Sequence, residues 1–192
     1  IMINVILFGK PGSGKGTQAD FLKKKFNLIH ISTGDLFRNN IINKTKLGLL
    51  AKSFIDKGDL VPDEVTVDML KDEVNKNSDV RGFIFDGFPR TISQAQTLDK
   101  FLKSMNMTIN ATISLEADDD VLEKRLIKRG MLSGRSDDQD ISKIRNRFKE
   151  YNLKTSPLKK YYDDYGKLYT ISGIGSINEI KNKLINLMKK IN

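Results

Sequence analysis

A glycine-rich segment near the start of the sequence has the composition and spacing of a phosphate-binding loop. Residues 9–17 read Gly-Lys-Pro-Gly-Ser-Gly-Lys-Gly-Thr, with a short apolar segment before them and apolar residues at helical spacing after them. Gly9, Gly12, Gly14 and Gly16 tolerate positive φ, so successive backbone N–H groups can face one anion. The following helix adds its positive end. We predict a phosphate cradle here; the alternative is a glycine-rich turn without a ligand.

Two charged residues complete the chemistry expected at this loop. Lys15 occupies the position where the Gly-x-x-x-x-Gly-Lys pattern places a lysine beside the β and γ phosphates. Gly16 stands where that pattern has a Ser or Thr for Mg²⁺, and we leave Thr17 open as a substitute. Asp86 directly follows the apolar segment 83–85, and a carboxylate at such a strand end can hold Mg²⁺ through water. Mg²⁺ is therefore the expected cofactor.

The positive charge of the chain is divided between two kinds of residue. The formal net charge is +9, from 33 basic and 24 acidic residues. The lysines are scattered along helical stretches, where a solvated surface is the ordinary explanation, so we expect no nucleic-acid partner. Arginine has a planar fork that suits bidentate contacts to phosphate. Six of the eight arginines lie in or beside the motifs described here: Arg38, Arg90, Arg125, Arg129, Arg135 and Arg147.

Composition narrows the class of protein further. A length of 192 residues suits one domain with a substantial core. The absence of cysteine excludes disulfides and thiolate metal sites, and no apolar run reaches membrane-spanning length. We therefore expect a cytoplasmic protein that does not associate with membranes. His30, the single histidine, lies in an apolar segment and is predicted to be a packed residue without a chemical role.

Five short apolar segments alternate with helical segments along the chain. These candidate strands are 5–8, 28–31, 83–85, 111–115 and 168–171. Strands that alternate with helices form a parallel sheet covered by helices on both faces, and its ligands bind at the carboxyl ends of the strands. The fold class is therefore predicted to be α/β, with three layers and a five-stranded parallel sheet.

Taken together, four motifs resemble those of the adenylate kinase family in its short-lid form. They occur in the family's order, and the resemblance covers essentially the whole chain. The motifs are Gly-x-Pro-Gly-x-Gly-Lys-Gly-Thr at 9–17, Ser-Thr-Gly-Asp at 32–35, Asp-Gly-Phe-Pro-Arg-Thr at 86–91 and Gly-Arg-x-Asp-Asp at 134–138. This family also has Gly-Thr after the lysine, which implies that Mg²⁺ is held largely through phosphate oxygens and water.

The resemblance implies a fold, a domain plan and an activity. It implies one adenylate kinase domain of the P-loop NTPase type, with a core formed by 1–31, 62–127 and 139–192. A helical AMP-binding flap covers 32–61 and a short lid covers 128–138. The implied reaction is reversible transfer of the terminal phosphoryl group of ATP to AMP, which gives two ADP. A monomer is also implied, and the flap and lid are expected to close on the substrates and exclude water.

The same resemblance implies the residues of the site. The positions that match the family's ATP site are Gly12, Ser13, Gly14, Lys15, Gly16, Thr17, Arg125, Arg129 and Gly175. Those that match its AMP site are Thr33, Arg38, Leu60, Val61, Gly87, Phe88, Pro89, Arg90, Gln94, Arg135 and Arg147. The implied catalytic residues are Lys15, Arg90, Arg129, Arg135 and Arg147, with Asp86 on Mg²⁺ through water.

The sequence leaves two candidates for the arginine that clamps the transferred phosphoryl group. Between Asp138 and Tyr151 the chain has one residue more than common short-lid forms, so Arg147 is our choice for the clamp and Arg145 the reserve.

We find no general base, and an AMP phosphate oxygen needs none because it is already ionised. Asp35, Asp137 and Asp138 are interpreted as orienting or lid-closing groups, with surface solvation as the alternative for Asp137.

Two other functions remain as alternatives. A UMP/CMP kinase shares the short lid, but Thr33, Thr91 and the amide of Gln94 favour an adenine acceptor. A non-catalytic nucleotide-sensing or RNA-binding module would need an incomplete set of site arginines, whereas every position is filled.

Overall fold

The computed structural model describes residues 2–77 and 80–191. Ile1 and Asn192, which end the predicted core segments 1–31 and 139–192, lie outside the described residues, as do 78 and 79. The strands agree with the predicted segments to within one residue at each end. They are β1 (Val5–Phe8), β2 (Ile29–Ser32), β3 (Phe83–Asp86), β4 (Ala111–Glu116) and β5 (Leu168–Ser172).

The strands form a single five-stranded parallel sheet in the order β2-β3-β1-β4-β5. β1 is central, with Leu7 opposite Asp86 of β3 on one side and Ile113 of β4 on the other. All strands run the same way, so the loops after β1 and β3 leave the same edge of the sheet side by side. The predicted α/β fold is confirmed, and this carboxyl edge is where ligands bind in such sheets.

Helices connect the strands and cover both faces of the sheet. The α-helices are α1 (Lys15–Phe26), α2 (Thr33–Ile42), α3 (Lys46–Ile55), α4 (Asp63–Asn75), α5 (Ile92–Ser104), α6 (Asp119–Ser133), α7 (Ile141–Glu150), α8 (Pro157–Asp163) and α9 (Ile177–Ile191). A 3₁₀ helix (Ser136–Asp138) follows α6, and a π-helical turn (Tyr151–Thr155) follows α7. The hydroxyls of Ser32 and Thr91 cap α2 and α5.

Two apolar clusters hold the helices against the sheet. Successive residues of a strand face opposite sides, so Ile6 and Phe8 belong to one cluster while Val5 and Leu7 belong to the other. All four are nearly inaccessible to solvent. This is the pattern of a parallel sheet buried on both faces, and it forms a rigid base for the loops at the carboxyl edge.

The segments predicted to be flap and lid lie above that edge. The 32–61 segment contains α2 and α3 and has a small apolar cluster of its own, formed by Phe37, Ala51 and Val61. The 128–138 segment consists of the last residues of α6 and the 3₁₀ helix. Throughout 2–77 and 80–191, no helix has both the length and the apolar character needed to cross a membrane.

Candidate active site

The glycine loop lies between β1 and α1 and is open on one side. Lys15 is the first residue of α1, and its Nζ donates to the carbonyl oxygens of Gly9 at 2.7 Å and Lys10 at 3.2 Å. Gly14 has φ of 96°, and a Cβ placed there would meet no atom within 4 Å. Ser13 is 1% exposed, and its hydroxyl faces Gly9 under the loop. The loop therefore leaves room above its backbone for an anion.

Asp86 lies beside this loop at the end of β3. Its side chain is largely buried, and a Cβ added to Gly16 would lie 3.7 Å from its Oδ2. His30 Nε2 lies 3.3 Å from the same oxygen, a contact that the sequence did not predict. Thr17 is exposed. No group of three metal-binding side chains occurs in the described ranges. A single carboxylate next to a phosphate loop fits Mg²⁺, which keeps several waters and binds phosphate oxygens.

The turn after β3 is held by hydrogen bonds on its backbone. The Gly87 carbonyl accepts from Thr33 Oγ1 at 2.9 Å and from Arg90 Nε at 2.7 Å. Thr155 Oγ1 donates to the Arg90 carbonyl at 2.9 Å. Gly87 has φ of 76°, and a Cβ there would lie 2.9 Å from Thr33 Oγ1. Only glycine therefore fits this turn, and the Arg90 side chain has a defined direction.

Several residues matched to the AMP site expose little of their side chains. Val61, Phe88 and Pro89 are buried, and Phe88 belongs to the main apolar core. The side chains of these residues therefore offer little surface for contact with a nucleotide. Gln94 is also buried, at 2% exposed, but its amide is polar. The amide oxygen accepts from the Arg90 N–H, and the amide nitrogen donates to Asp63. Leu60 is half-buried.

Two lid carboxylates hold two of the predicted arginines. Asp138 is inaccessible to solvent and accepts from Arg129 Nε at 2.6 Å and Nη2 at 3.0 Å. It also accepts from Arg147 Nη1 at 2.6 Å, and Asp137 lies 2.9 Å from the same nitrogen. Burial raises the pKa of Asp138, but the hydrogen bonds and charges of Arg129 and Arg147 together have a larger, opposite effect. The net shift of the pKa is therefore downward. Asp137 is buried, so the alternative of a solvated surface carboxylate is wrong.

The two candidate clamp arginines on α7 have different surroundings. Arg147 faces the site through its contacts with Asp137 and Asp138. The Arg145 side chain is 70% exposed and pairs with Glu123 of α6 at 3.2 Å. This placement favours Arg147 as the residue that reaches a ligand.

The cations converge closely enough to alter one another's pKa. Burial lowers the pKa of Lys15 to about 8, and the charges of Arg90, Arg147 and Arg129 add to this effect while Asp86 opposes it. Burial, followed by the charge of Arg147, lowers the pKa of Arg90 to about 10. The pKa of Arg135 falls because of burial and then because of Arg38 and Arg129. The site therefore has an excess of positive charge that a polyanion would relieve.

Arg125 lies apart from this cluster. Its Nη1 donates to the Gly173 carbonyl at 3.0 Å, in the loop after β5. Gly175 in the same loop has φ of 126° and is exposed, and Ser176 N donates to Glu179 at 2.7 Å, which fixes the start of α9. Arg125 and Gly175 therefore flank a separate surface on the β5 side of the glycine loop.

The 32–61 segment touches the 128–138 segment and α7 through polar contacts. Ser136 Oγ donates to Asp56 at 2.9 Å, and Asn146 Nδ2 donates to Asp59 at 2.9 Å. Arg135 lies 3.6 Å from Asp35 of α2. A Ser or Asn in a helix carries no periodic or motif signal, so only the folded arrangement reveals these contacts.

Comparison with known proteins identifies this arrangement. The family model for adenylate kinase matches residues 7–167, which include the glycine loop and the segments 32–61 and 128–138. The chain belongs to the adenylate kinase family. The resemblance inferred from four motifs is thereby confirmed.

Curated adenylate kinases are similar to this chain over nearly its full length. The adenylate kinase of Flavobacterium psychrophilum is 59% identical over 99% of this chain and 100% of the relative. That of Flavobacterium johnsoniae is 57% identical over the same shares. The Parabacteroides distasonis enzyme is 45% identical over 95% of this chain and 96% of its own length. Membership of the adenylate kinase family therefore applies to the chain as a whole.

Proposed function

We infer that the protein is an adenylate kinase that transfers the terminal phosphoryl group of ATP reversibly to AMP and gives two ADP. One observation supports this most directly: Lys15 and arginines from four separate segments converge at the carboxyl edge of the sheet. The relevant arginines are Arg90, Arg129, Arg135 and Arg147. Such convergence suits two phosphate chains that meet end to end.

The donor nucleotide is proposed to bind on the β5 side of the sheet. Its phosphates lie in the glycine loop, where Lys15 is already directed at the loop carbonyls. Arg125 and Gly175 flank the base, and Arg129 reaches the phosphates. The full proposed donor set is Gly12, Ser13, Gly14, Lys15, Gly16, Thr17, Arg125, Arg129 and Gly175.

The acceptor is proposed to bind between the flap and the turn after β3. Thr33 and Gly87 form its floor, and Gln94 faces the base. The full proposed acceptor set is Thr33, Arg38, Leu60, Val61, Gly87, Phe88, Pro89, Arg90, Gln94, Arg135 and Arg147. Val61, Phe88 and Pro89, whose apolar side chains are buried, are proposed to contribute backbone groups.

Catalysis follows from charge compensation and positioning. ATP and AMP together carry about six negative charges, which repel each other unless cations offset them. Phosphoryl transfer needs positioning and electrostatic stabilisation more than covalent chemistry, and one such arginine can be worth about 10³–10⁵ in rate. The acceptor oxygen is already ionised, so no base is required. Asp138 holds Arg129 and Arg147 together so that their remaining N–H groups can face the transferred phosphoryl group.

Mg²⁺ is proposed as the cofactor, with Asp86 as its protein contact through water. When bound, it would offset charge on the phosphate oxygens of ATP. His30 beside Asp86 restricts the direction of that carboxylate. The protein is also proposed to act as a cytoplasmic monomer.

Closure of two segments is proposed to exclude water from the transfer. The flap covers 32–61 and the lid covers 128–138, and both are expected to move relative to the core when substrates bind. A crystal structure with a bisubstrate analogue tests this: both segments should lie closer to the core than in the ligand-free protein. Unchanged positions would refute closure.

A coupled assay of ADP formation tests the activity itself. The purified protein should convert ATP with AMP far faster than ATP with CMP or UMP, because the Gln94 amide matches the adenine edge. A preference for UMP or CMP would instead identify a UMP/CMP kinase. Steeply salt-dependent RNA binding without transfer would contradict both assignments.

A further inference from the structure

A network of hydrogen bonds surrounds the Gln94 side chain and centres on Asp63, the first residue of α4. Asp63 Oδ1 accepts from Gln94 Nε2 at 2.7 Å, and Asp63 Oδ2 accepts from Thr91 Oγ1 at 2.8 Å. Gln94 Oε1 accepts from the backbone N–H of Arg90 at 2.7 Å. The Thr91 hydroxyl also accepts from Gln94 N at 3.1 Å. Asp63 therefore connects the end of the flap with the start of α5.

The partners in this network determine which way the Gln94 amide faces. An ionised carboxylate only accepts hydrogen bonds, and a backbone N–H only donates them. A flipped amide would place its oxygen against Asp63 and its NH₂ group against the Arg90 N–H. Gln94 is 2% exposed, so water could not relieve either mismatch. An unsatisfied buried polar group destabilises strongly, so a single orientation is populated.

The fixed orientation leaves a defined pattern for a ligand. A primary amide has two N–H groups and two oxygen lone pairs, and the network uses one of each. The remaining lone pair and N–H match the edge of a 6-aminopurine, which offers an N6 donor and an N1 acceptor. A 6-oxopurine offers the opposite pattern, an O6 acceptor and an N1 donor. Amide orientation therefore distinguishes these two classes of base.

We propose that Asp63 determines acceptor specificity by holding the Gln94 amide in the orientation that selects 6-aminopurine over 6-oxopurine monophosphates. Asp63 acts through Gln94 and is a positioning residue. The proposal rests on the proposed function, since it takes Gln94 to face the acceptor base. Only Pro62 separates Asp63 from 60–61, so the correct amide orientation depends on the position of the flap.

The test is the ratio of kcat/KM for AMP to kcat/KM for inosine monophosphate, with ATP as donor. Asp63→Asn keeps the shape but replaces the charged acceptor of Gln94 Nε2 with a neutral amide, which holds the Gln94 orientation less strongly. The ratio should fall about tenfold or more, through a higher KM for AMP and a gain with inosine monophosphate, while the KM for ATP stays the same. Glu64→Gln is the matched control, because Glu64 is exposed in the same helical turn and carries the same charge.

Two results would overturn the proposal while leaving the activity intact. One is a normal ratio in Asp63→Asn; the other is an equal loss for both nucleotides, which would indicate a purely structural role. A wild-type protein that does not phosphorylate AMP would overturn the proposed function, and this inference with it.

A measurement on the wild-type protein covers the case in which Asp63→Asn does not fold. The side-chain NH₂ protons of Gln94 should exchange with solvent at least about tenfold more slowly than those of Gln96, which is exposed on the same helix. Equal exchange rates would show that the amide is not held, and the proposal would fail.

Discussion

Cationic side chains occupy two very different regions of this adenylate kinase. At the carboxyl edge of the sheet, Lys15 and Arg90 are so enclosed and so close to other cations that their pKa values fall to about 8 and about 10. On α9, Lys183, Lys189 and Lys190 project into solvent. The same formal charge therefore has two consequences. Solvated lysines contribute solubility, whereas crowded cations form a site that is electrostatically incomplete without a polyanion.

The crowding of cations at the carboxyl edge lowers the stability of the ligand-free protein. Partly buried cations repel one another and lose hydration, so the ligand-free protein is less stable than its apolar core would allow. Asp86, Asp137 and Asp138 offset only part of that repulsion. Function here opposes stability, as is common where a site must be ready for charged substrates.

The largest expected effect on kcat comes from replacing one lysine in each region, at the carboxyl edge of the sheet and on α9. Lys15→Met should lower kcat by about 10³-fold or more, because the β and γ phosphates lose their central cation. Lys183→Met removes an equal charge from α9 and should change kcat less than about twofold. ADP formation measured at saturating ATP and AMP gives both values. Similar losses in the two variants would remove the distinction between site and surface charge.

A second pair of substitutions makes the comparison within one helix. Arg147→Ala should reduce kcat/KM by about 10²–10³-fold, since Asp137 and Asp138 hold Arg147 at the proposed phosphate site. Arg145→Ala, two residues away and exposed, should stay near wild type. Steady-state kinetics at several AMP concentrations give kcat/KM for both variants. The opposite ranking would assign the clamp to Arg145.

Stability as a function of pH should reveal the enclosure of Lys15. The pKa of Lys15 is 10.5 in the absence of neighbouring groups and about 8 in the folded protein. Below pH 8, Lys15 is therefore protonated in both the folded and the unfolded protein, and its charge destabilises the folded protein to the full extent. Between pH 8 and 10.5 the unfolded chain binds the extra proton, so the free energy of unfolding rises with pH. Lys15→Met should remove that rise and stabilise the ligand-free protein at pH 7 by on the order of 1–3 kcal/mol.

Urea unfolding of wild type and variant at pH 7 and 9.5 measures this effect. The difference between the two proteins should be larger at pH 7. Lys183→Met again provides the control, because it should leave the free energy of unfolding unchanged at both pH values. A Lys15→Met protein less stable than wild type at pH 7 would contradict the enclosure of a charged lysine.

The smallest expected effect concerns the hydrogen bonds that the uncharged side chain of Asn146 makes with the 32–61 segment. Asn146→Ala removes the hydrogen bonds to Asp59 and the Lys57 carbonyl, so the 32–61 segment loses a contact with α7. The KM for AMP should rise about twofold to tenfold, with a smaller change in the KM for ATP. Asn152→Ala on the exposed side of the π-helical turn should change neither value. An equal rise in both KM values would indicate a general loss of structure.

Much of the fold was accessible from local sequence. The segments 5–8 and 111–115 are short apolar runs bounded by turn residues, and buried parallel strands require that composition whatever their partners. The glycine loop was equally readable, because positive φ at Gly12 and Gly14 is a local demand on the backbone. The four motifs sufficed to identify the family.

The choice between Arg147 and Arg145 was less accessible. Counting residues could only rank them, because helical phase is uncertain after an insertion, whereas the structure places one against Asp138 and the other in solvent. The contact between His30 and Asp86 depends on β2 lying beside β3, which chain order alone did not specify.

The strand and helix pattern, the phosphate loop and the family could be inferred from local sequence, because they depend on periodicity and on backbone geometry within a few residues. Tertiary structure alone decided how enclosed Lys15 is, which partners hold Asp138 and how Asp63 orients Gln94. Burial, pKa and amide orientation are set by groups far apart in the chain, and no local pattern encodes the distance between them.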